Sequence, residues 1–379
     1  TTLAWADTSN VGKTIEGKGT AEDPYQIGTA DELLWFADQV NKSTKKSTSM
    51  LCAKLTDDID LTKVEAWTPI GNYNSYSDYV EFGGVFDGAG HRIYNLTIVN
   101  TKAYQALFGR VNGGTIKNLT VEGSITTSTT STAYAAGIVA YGNSATVENC
   151  TNNGNISSAK NAGGIIGAND TAAATIIGCH NTGTMAGAEN KIGGIAGAVI
   201  GTIKNCTTTG TDVLVGTFGT TGLANTNTIE LSESASIKVS AFEGNISLKN
   251  VTIDSLTDYI GTGVRQITLD NSTITTLTMT GSAALTNHRT VLTRNENDSS
   301  TIGSIVVNGQ CKDATSFIYI YLNGVCNSVT NNMTRNDDAQ IGANVCTFTT
   351  GNGIGENEGG TGKTQIVYGN PSNAEGGAQ

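Results

Sequence analysis

The chain has 379 residues, of which 15% are charged, and a formal net charge of −11. An acidic surface repels a phosphate backbone, and no clustered stripe of Lys and Arg offsets that repulsion, so nucleic acid is excluded as the expected partner. No apolar run reaches the roughly 18 residues of a membrane span. Gly is abundant, with 47 residues, and Pro is rare, with 3, which favours short strands and tight turns over helices.

One segment near the amino terminus has a helical pattern. In TADELLWFADQV, Thr29 and Glu32 have the spacing of a capping box. The apolar residues that follow share one helical face: Leu33, Phe36, Ala37 and Val40. We expect a single short helix that caps the first repeat, since the open end of a repeat array has to be covered.

Three acidic residues follow in LTDDIDL, namely Asp57, Asp58 and Asp60. Alternation along a strand places Asp58 and Asp60 on one face, and calcium prefers oxygen ligands. Two carboxylates do not complete a coordination shell, however, so we expect surface acids and predict no metal and no cofactor.

The segment GNYNSYSDYVEF places a tyrosine at every third position, at Tyr73, Tyr76 and Tyr79. We interpret residues 72–79 as an inserted loop. Tyrosine offers a flat ring and a hydroxyl, which suit sugar rings and protein partners. These three residues are therefore the candidate ligand-binding site. The alternative is that one or two of them pack against the cap, at Trp67.

Five similar glycine-rich phrases follow, and they begin at residues 83, 106, 136, 163 and 193. Alignment places their apolar residues in three columns. The first column is Val85, Leu107, Ile138, Ile165 and Ile195, with steps of 22, 31, 27 and 30 residues; the second is Ile93, Ile116, Val147, Ile176 and Ile203; the third is Leu96, Leu119, Cys150, Cys179 and Cys206. Self-similarity at this period indicates a solenoid.

Each phrase consists of short β segments joined by Gly and Asn turns, which is typical of one turn, or rung, of a parallel β-helix. We therefore predict an all-β fold, a right-handed parallel β-helix of the pectate-lyase-like kind with an N-terminal capping helix. The three cysteines of the third column should point inward, about 4.8 Å apart. We expect buried thiols there rather than disulfides or a metal site.

The order of the pieces GTAEDPYQIGTADELLWFADQVN, DIDL, WTPIG and FGGVFDGAGHRIYNLTI, followed by the glycine-rich rungs, resembles that of bacterial surface proteins with GLUG-type repeats. The resemblance covers roughly residues 19–210. It implies a secreted or surface-anchored protein with a pectate-lyase-like β-helix, of the kind described as adhesins. Similar repeats also accompany the catalytic domain of bacterial IgA1-specific metalloproteases.

Beyond residue 213 the pattern continues more loosely. ISLKNVTIDSLT at Ile246 matches ITLDNSTITTLT at Ile267, which places Asn250 over Asn271. We expect these two side chains to hydrogen-bond from rung to rung. Later strand-like pieces are SIVVNG, FIYIYLNG, VCTFTT and QIVYGN. We expect residues 281–300, which contain Arg289 and Arg294, to bulge as a loop.

Known catalytic and nucleotide-binding motifs are incomplete in this chain. None of the three histidines begins the HExxH of a zinc protease. GGTGKT at residues 359–364 lacks the first glycine of a phosphate-binding loop and is followed by a strand-like segment, so we exclude nucleotide binding.

Paired carboxylates, which glycoside hydrolysis requires, are also lacking on equivalent rungs. Glu148, Asp170 and Glu189 fall at different positions of their repeats. FDGAGHRI brings Asp87, His91 and Arg92 close in sequence, but we favour a turn that sets the first rung.

We predict three regions: a cap at residues 1–82, regular rungs at 83–212, and a less regular continuation with a Gly-rich tail at 213–379. The expected function is that of a non-catalytic, extracellular surface module that binds a host glycan or protein, as a monomer, on the cell surface or secreted. A signal peptide is expected to precede Thr1. Two alternatives remain open: a carbohydrate-active β-helix enzyme, and an accessory part of an IgA1-protease-like protein without its catalytic domain.

Overall fold

A computed structural model describes residues 15–128, 133–188, 191–219, 226–260, 263–285, 287–294, 300–311, 317–322, 326–335, 344–347 and 364–369. The chain divides into two compact units, Thr1–Thr217 and Phe218–Gln379. Strands dominate the described part of both units, and parallel pairing links strands into large sheets. The fold is therefore all-β with parallel strands. The region boundaries at residues 82 and 212 stay a prediction.

A helix in the first unit, Ala30–Asn41, begins at the predicted capping box. The backbone N–H of Glu32 donates to Thr29 Oγ1 at 3.3 Å, and the N–H of Thr29 donates to Glu32 Oε2 at 3.0 Å. All four residues of the predicted apolar face are buried. The ring of Phe36 lies 6.3 Å from that of Phe82 and 5.9 Å from that of Phe86. The predicted helix is confirmed, and it packs against the first strands of the repeat array.

The strands of the first unit are short and follow one another closely. Up to the end of the first glycine-rich phrase they are Tyr25–Ile27, Ser47–Ser49, Ala53–Leu55, Ile59–Asp60, Tyr73–Ser75, Asp78–Phe82, Val85–Asp87 and Arg92–Asn100. The repeats then contribute Phe108–Asn112, Thr115–Lys117, Thr120–Thr127, Tyr134–Ala136, Val139–Asn143, Thr146–Glu148, Thr151–Asn152, Asn155–Ser158, Asn161–Gly163, Ile166–Ala168, Ala174–Ile177, His180–Asn181, Met185–Ala186, Ile192–Gly193, Ala196–Val199, Gly201–Lys204 and Thr207–Thr208.

Equivalent strands of successive rungs pair in parallel and in register. In the second column Ile116 lies opposite Val147, Val147 opposite Ile176, and Ile176 opposite Ile203. All four side chains are buried. The alignment of the last four phrases is therefore confirmed, and its columns form the core of the first unit.

The alignment of the first phrase, in contrast, was wrong. Val85 pairs with Thr115, and Ile93 pairs with Val121 rather than with Ile116. Leu96 lies opposite Gly123, where the register shifts. The segments IYNLTI and IKNLTV have the same alternation, so the apolar pattern alone fits either register. The structure has the register in which Phe86 pairs with Ile116.

A left-handed residue precedes the third column on successive rungs. Asn118, Asn149 and Asn205 have φ of 52°, 51° and 51°, and Gly178 takes the same place with φ of 61°. Asparagine and glycine adopt this conformation at lower cost than other residues. The Asn-or-Gly position before each Leu or Cys is thus a requirement of the turn.

A polar column lies inside the array next to these turns. Asn152 and Asn181 are register partners and fully buried. Asn152 Nδ2 donates to Asn181 Oδ1 at 2.7 Å and to the carbonyl of Gly154 at 2.8 Å. Asn181 Nδ2 in turn donates to the carbonyl of Gly183 at 2.8 Å and to Thr208 Oγ1 at 3.2 Å. The NNG, NTG and TTG turns are therefore joined by a buried hydrogen-bonded ladder.

The thiols of the third column are buried and free. Cys179 Sγ donates to the carbonyl of Val147 at 3.4 Å, and Cys206 Sγ donates to that of Ile176 at 3.5 Å. Burial raises the pKa of the Cys179 thiol. The hydrogen bond with Cys179, together with burial, raises the pKa of Cys206. The predicted inward column is confirmed, and its members serve as small apolar side chains.

Longer strands occur in the second unit. They are Thr226–Ile237, Val239–Glu243, Asn245–Ile260, Gly263–Asp270, Thr273–Leu285, Asn287–Arg294, Thr301–Cys311, Phe317–Leu322, Cys326–Arg335, Asn344–Thr347 and Thr364–Gly369, while Val215–Gly219 contains the boundary between the units. The predicted pair at residues 246 and 267 is in register, and Asn271 Nδ2 donates to Asn250 Oδ1 at 2.9 Å. That rung-to-rung hydrogen bond is confirmed.

Two features of the second unit differ from expectation. Residues 281–285 and 287–294 are strands rather than a loop, and residues 288–294 pair in parallel with 263–269. The alternation of RTVLTR, which suits a paired strand, outweighs the charge of its two arginines. The last two strands differ from the rungs in direction. Asn344–Thr347 pairs antiparallel with Cys326–Arg335, and Thr364–Gly369 pairs antiparallel with Phe317–Leu322.

The buried ladder yields a stability prediction. Asn181→Ala removes an amide that accepts from Asn152 and donates to two oxygens. Because a buried donor then lacks its partner, we expect a loss of about 1–3 kcal/mol in the free energy of unfolding. Urea denaturation followed by circular dichroism measures it. Asn153→Ala, at an exposed position of the NNG turn on the preceding rung, is the control, and an equal loss in both variants would contradict the role of the ladder.

The thiol column yields a labelling prediction. In the native protein Cys150, Cys179 and Cys206 should resist alkylation at pH 8, because they are buried and the pKa of the last two is raised. In guanidinium they should alkylate fully. Peptide-resolved mass spectrometry distinguishes these cysteines from the others, and a Cys150–Cys179 or Cys179–Cys206 linkage would overturn the assignment.

Candidate functional site

Two short antiparallel strands carry the predicted tyrosines, Tyr73–Ser75 and Asp78–Phe82. Tyr73 lies opposite Tyr79, and their rings stack with centroids 6.2 Å apart. Tyr76 lies at the turn, where the residue is 81% exposed. The expected loop is thus a hairpin, because cross-strand tyrosines stabilise the pairing. The hairpin brings two of the predicted tyrosines together and leaves the third in solvent.

Arg110 of the strand Phe108–Asn112 lies among four tyrosine rings. Its guanidinium carbon is 4.7 Å from the ring centroid of Tyr79 and 4.9 Å from that of Tyr141. The rings of Tyr104 and Tyr73 are 5.3 Å and 5.7 Å away. A cation above an aromatic face is attracted by the ring quadrupole, and more strongly when water is excluded. The hairpin and the rungs are thus linked through one arginine.

A buried carboxylate, that of Glu81, pairs with this arginine. Arg110 Nη2 donates to Glu81 Oε1 at 2.6 Å, and Asn112 Nδ2 donates to Glu81 Oε2 at 2.9 Å. The Arg110 side chain is 14% exposed and that of Glu81 is 12% exposed. Both charges are therefore largely removed from water, and each depends on the other.

The regular rungs supply three further tyrosines. The rings of Tyr104 and Tyr134 are 5.3 Å apart, and those of Tyr134 and Tyr141 stack at 5.8 Å. The register explains the grouping, because Arg110 pairs with Tyr141 and the neighbour of Tyr104, Gln105, bridges to Ala135. We call Arg110 and the tyrosines at 73, 79, 104, 134 and 141 the tyrosine–arginine cluster. Small residues pack against it: Ala103, Ala106, Ala136, Ala140, Ala168 and Ala198.

Two phenols of the cluster, those of Tyr104 and Tyr141, have a raised pKa and are held in the protonated form. Burial raises the pKa of Tyr104 to about 12. Burial also raises the pKa of Tyr141, and so does the hydrogen bond that its hydroxyl donates to Asp170. A protonated phenol that already donates a hydrogen bond is not a base or a nucleophile at neutral pH. The hydroxyl of Tyr141 is therefore not available as a base at neutral pH.

The acidic candidates Asp58 and Asp87 form separate hydrogen bonds with different partners. Asp58 accepts from Arg92 Nε at 2.9 Å and lies 3.3 Å from His91 Nδ1, whereas Asp87 accepts from Asn118 Nδ2 at 3.0 Å. The Arg92 side chain lowers the pKa of Asp58. Asp58 rather than Asp87 thus contacts His91 and Arg92, so Asp87, His91 and Arg92 do not form an acid–base group. Asp57 and Asp60 join no group of three or more metal-ligating side chains within the described residues.

Of the other candidates, Asp170 accepts from Tyr141. Glu148, in the strand Thr146–Glu148, is the register partner of Lys117 on one neighbouring strand and of Ile177 on the other. Glu189, most of GGTGKT, and the side chains of Arg289 and Arg294 lie outside the described residues. Among the residues that the structure describes, no helix is long and apolar enough to cross a membrane.

The rung tyrosines and Arg110 were not predicted as site residues from the sequence. A signal for them does exist, because Arg110 and Tyr141 are separated by the same 31 residues as Leu107 and Ile138. A residue that recurs at the rung period occupies the same place on the next rung, where its side chain lies next to its predecessor.

Comparisons with known proteins give limited matches. No family model matches the chain, so the resemblance to GLUG-repeat proteins stays a prediction. The chain is 31% identical over 159 residues to halomucin of Haloquadratum walsbyi, which covers 40% of this chain and 2% of halomucin. A solved structure from Bacteroides ovatus, provisionally assigned as an immunoglobulin A1 protease, has a TM-score of 0.40 and 16% identity, over 88% of this chain and 83% of that one.

The buried ion pair yields a prediction for stability. Arg110→Ala leaves Glu81 buried without a cation and removes the group that four rings surround. We expect the free energy of unfolding to fall by about 3–5 kcal/mol, because an uncompensated buried charge is costly. Urea denaturation measures this change.

Lys46→Ala is the matched control, since Lys46 Nζ lies 4.8 Å from the ring of the exposed Tyr76. Its loss should change stability by no more than about 0.5 kcal/mol. Similar losses in the two variants would contradict the structural role of Arg110.

Proposed function

We propose that this chain is a non-catalytic, extracellular surface module, and that it binds a glycan or protein of a host through Tyr73, Tyr76 and Tyr79. The observation that carries the proposal is the hairpin, which presents an 81% exposed tyrosine beside two partly exposed ones. Binding energy concentrates in a few aromatic anchors. The module acts as a monomer, secreted or anchored at the cell surface.

The architecture that suits this role is a right-handed parallel β-helix. In-register parallel pairing on successive rungs supports it, because each rung then rises about 4.8 Å above the last. Parallel crossover connections are right-handed in nearly all proteins. Such a solenoid presents a long, regular surface, from which the hairpin departs.

A binding role rather than an enzymatic one is supported by the state of the ionisable groups. Arg110 pairs with Glu81, and the hydroxyl of Tyr141 donates to Asp170. None of these groups is poised for proton transfer. An extracellular location is supported by the partial sequence similarity to halomucin, because the name of that protein denotes a mucin.

The binding test replaces Tyr76 alone and, in a second variant, all three hairpin tyrosines. Tyr76→Ala should abolish binding to a mucin array or a glycan array without lowering the melting temperature, because the side chain is exposed. Replacement of all three tyrosines should in addition destabilise the fold, since Tyr73 and Tyr79 contact Arg110. Tyr94→Ala is the control, at a tyrosine that contacts Arg92 instead. Undiminished binding by the Tyr76 variant would exclude this residue as an anchor.

A second prediction concerns activity. The purified chain should cleave neither IgA1 nor pectins nor glycosaminoglycans, because its acidic candidates are engaged in separate hydrogen bonds. Electrophoresis of IgA1 and reducing-end assays of the polysaccharides check this. Cleavage of IgA1 that EDTA abolishes, and that copurifies with the chain, would refute the non-catalytic assignment.

A further inference from the structure

The tyrosine–arginine cluster extends onto the rungs, away from the hairpin. Its rim there consists of Tyr134, Lys160 and Asp170. Lys160 Nζ lies 5.2 Å from the ring centroid of Tyr134 and 3.5 Å from its hydroxyl oxygen. Asp170 is exposed and accepts from the hydroxyl of Tyr141. Aromatic faces and polar groups thus lie side by side at this rim.

The charges of the cluster and its rim balance. Arg110 and Lys160 supply two positive charges, and Glu81 and Asp170 supply two negative ones. Arg110 is already paired at 2.6 Å and surrounded by rings, so its charge is not offered to a ligand. The exposed carboxylate of Asp170 repels anions, as does the net charge of −11 of the whole chain. The surface is therefore suited to an uncharged ligand.

The register places small side chains next to these rings. Along one column Arg110 pairs with Tyr141, Tyr141 with Ala168, and Ala168 with Ala198. Two rungs that carry alanine thus follow the rung that carries Tyr141, over a length of about 10 Å. Ala168 is buried, and Ala198 is partly exposed. The part of this alanine shelf that a ligand can contact is therefore Ala198.

From this arrangement we infer that the rim binds a neutral oligosaccharide, with one sugar ring against Tyr134 and its neighbours over the alanine shelf. A sugar ring has an apolar face that packs on tyrosine and hydroxyls that can donate to Asp170 and accept from Lys160. This inference rests on the proposed binding role and names its ligand class. The hairpin then supplies one part of the surface and the rungs supply the other.

The test is titration calorimetry of the whole chain with hexasaccharides of matched length. Neutral probes are cello-, manno- and laminarihexaose, and anionic probes are hexagalacturonate and a chondroitin hexasaccharide. At least one neutral probe should bind, and the anionic ones should not. Tyr134→Ala should weaken binding roughly tenfold or more, with Tyr94→Ala, at a tyrosine outside the cluster, unchanged.

A thermal melt of each variant separates lost binding from lost folding. Asp170→Asn serves as a second variant, since asparagine retains an acceptor for Tyr141 and removes the charge. It should still bind the neutral probe, and its discrimination against the anionic probes should fall, because the amide keeps an acceptor and loses the charge. Tighter binding of an anionic than of any neutral probe by the unsubstituted chain, or neutral binding that Tyr134→Ala leaves intact, would overturn the inference.

Failure of this inference can be distinguished from failure of the proposed function. If no hexasaccharide binds while a mucin or protein binds in a Tyr76-dependent way, the neutral-sugar inference is wrong and the binding role stands. If Tyr76→Ala and Tyr134→Ala both leave every interaction unchanged, both are wrong.

Discussion

The structure depends on the hydrogen-bonded register between successive rungs. Each rung pairs in parallel with the next, so a side chain at a given position lies against the side chain at the equivalent position one repeat later. That constraint builds the apolar core from the columns, and it also assembles the surface. Arg110 meets Tyr141 because the two are one repeat apart. A shift of one residue would turn both to the opposite face.

The same constraint explains the blandness of the repeated phrases. A residue in a solenoid has to suit its copies above and below, and small apolar side chains do so without strain. Where a turn needs a left-handed residue, Asn or Gly recurs, as at Asn149 and Gly178. Where a polar side chain points inward, it needs a polar partner on the next rung, as Asn152 finds in Asn181. The small range of residue types in the repeated phrases is thus a consequence of the stacking.

Much of this fold could be predicted from the sequence. The capping box, the columns from Leu107 onward and the Asn250–Asn271 hydrogen bond each rest on a pattern that local chemistry or the repeat period determines. The register of the first phrase could not be predicted in this way. IYNLTI has the same alternation as IKNLTV, and the choice depends on Phe86 opposite Ile116.

The candidate site was predictable only in part. Three tyrosines in one insertion are visible in the sequence, and an aromatic cluster in a turn indicates a contact surface. The packing of Tyr73 and Tyr79 on Arg110, which lies 37 residues beyond Tyr73, is a non-local contact between a hairpin and a rung. The strand at residues 287–294 was missed because its two arginines favour a loop when the paired neighbours are unknown. Both cases depend on tertiary context that outweighs local preference.

The most direct test of the register is an engineered cross-link between two rungs. Thr120 and Thr151 are register partners, so their Cβ atoms lie about 4.8 Å apart. That distance exceeds the roughly 3.8 Å of a disulfide but is within the reach of a short bifunctional thiol reagent such as dibromobimane. The double variant Thr120→Cys with Thr151→Cys should therefore be joined by this reagent, as mass spectrometry would show. Thr120→Cys with Asn153→Cys, two residues further along, separates the atoms by roughly 8 Å and should not be joined. A cross-link in the second pair without one in the first would contradict the register, and with it the assembly of the tyrosine–arginine cluster.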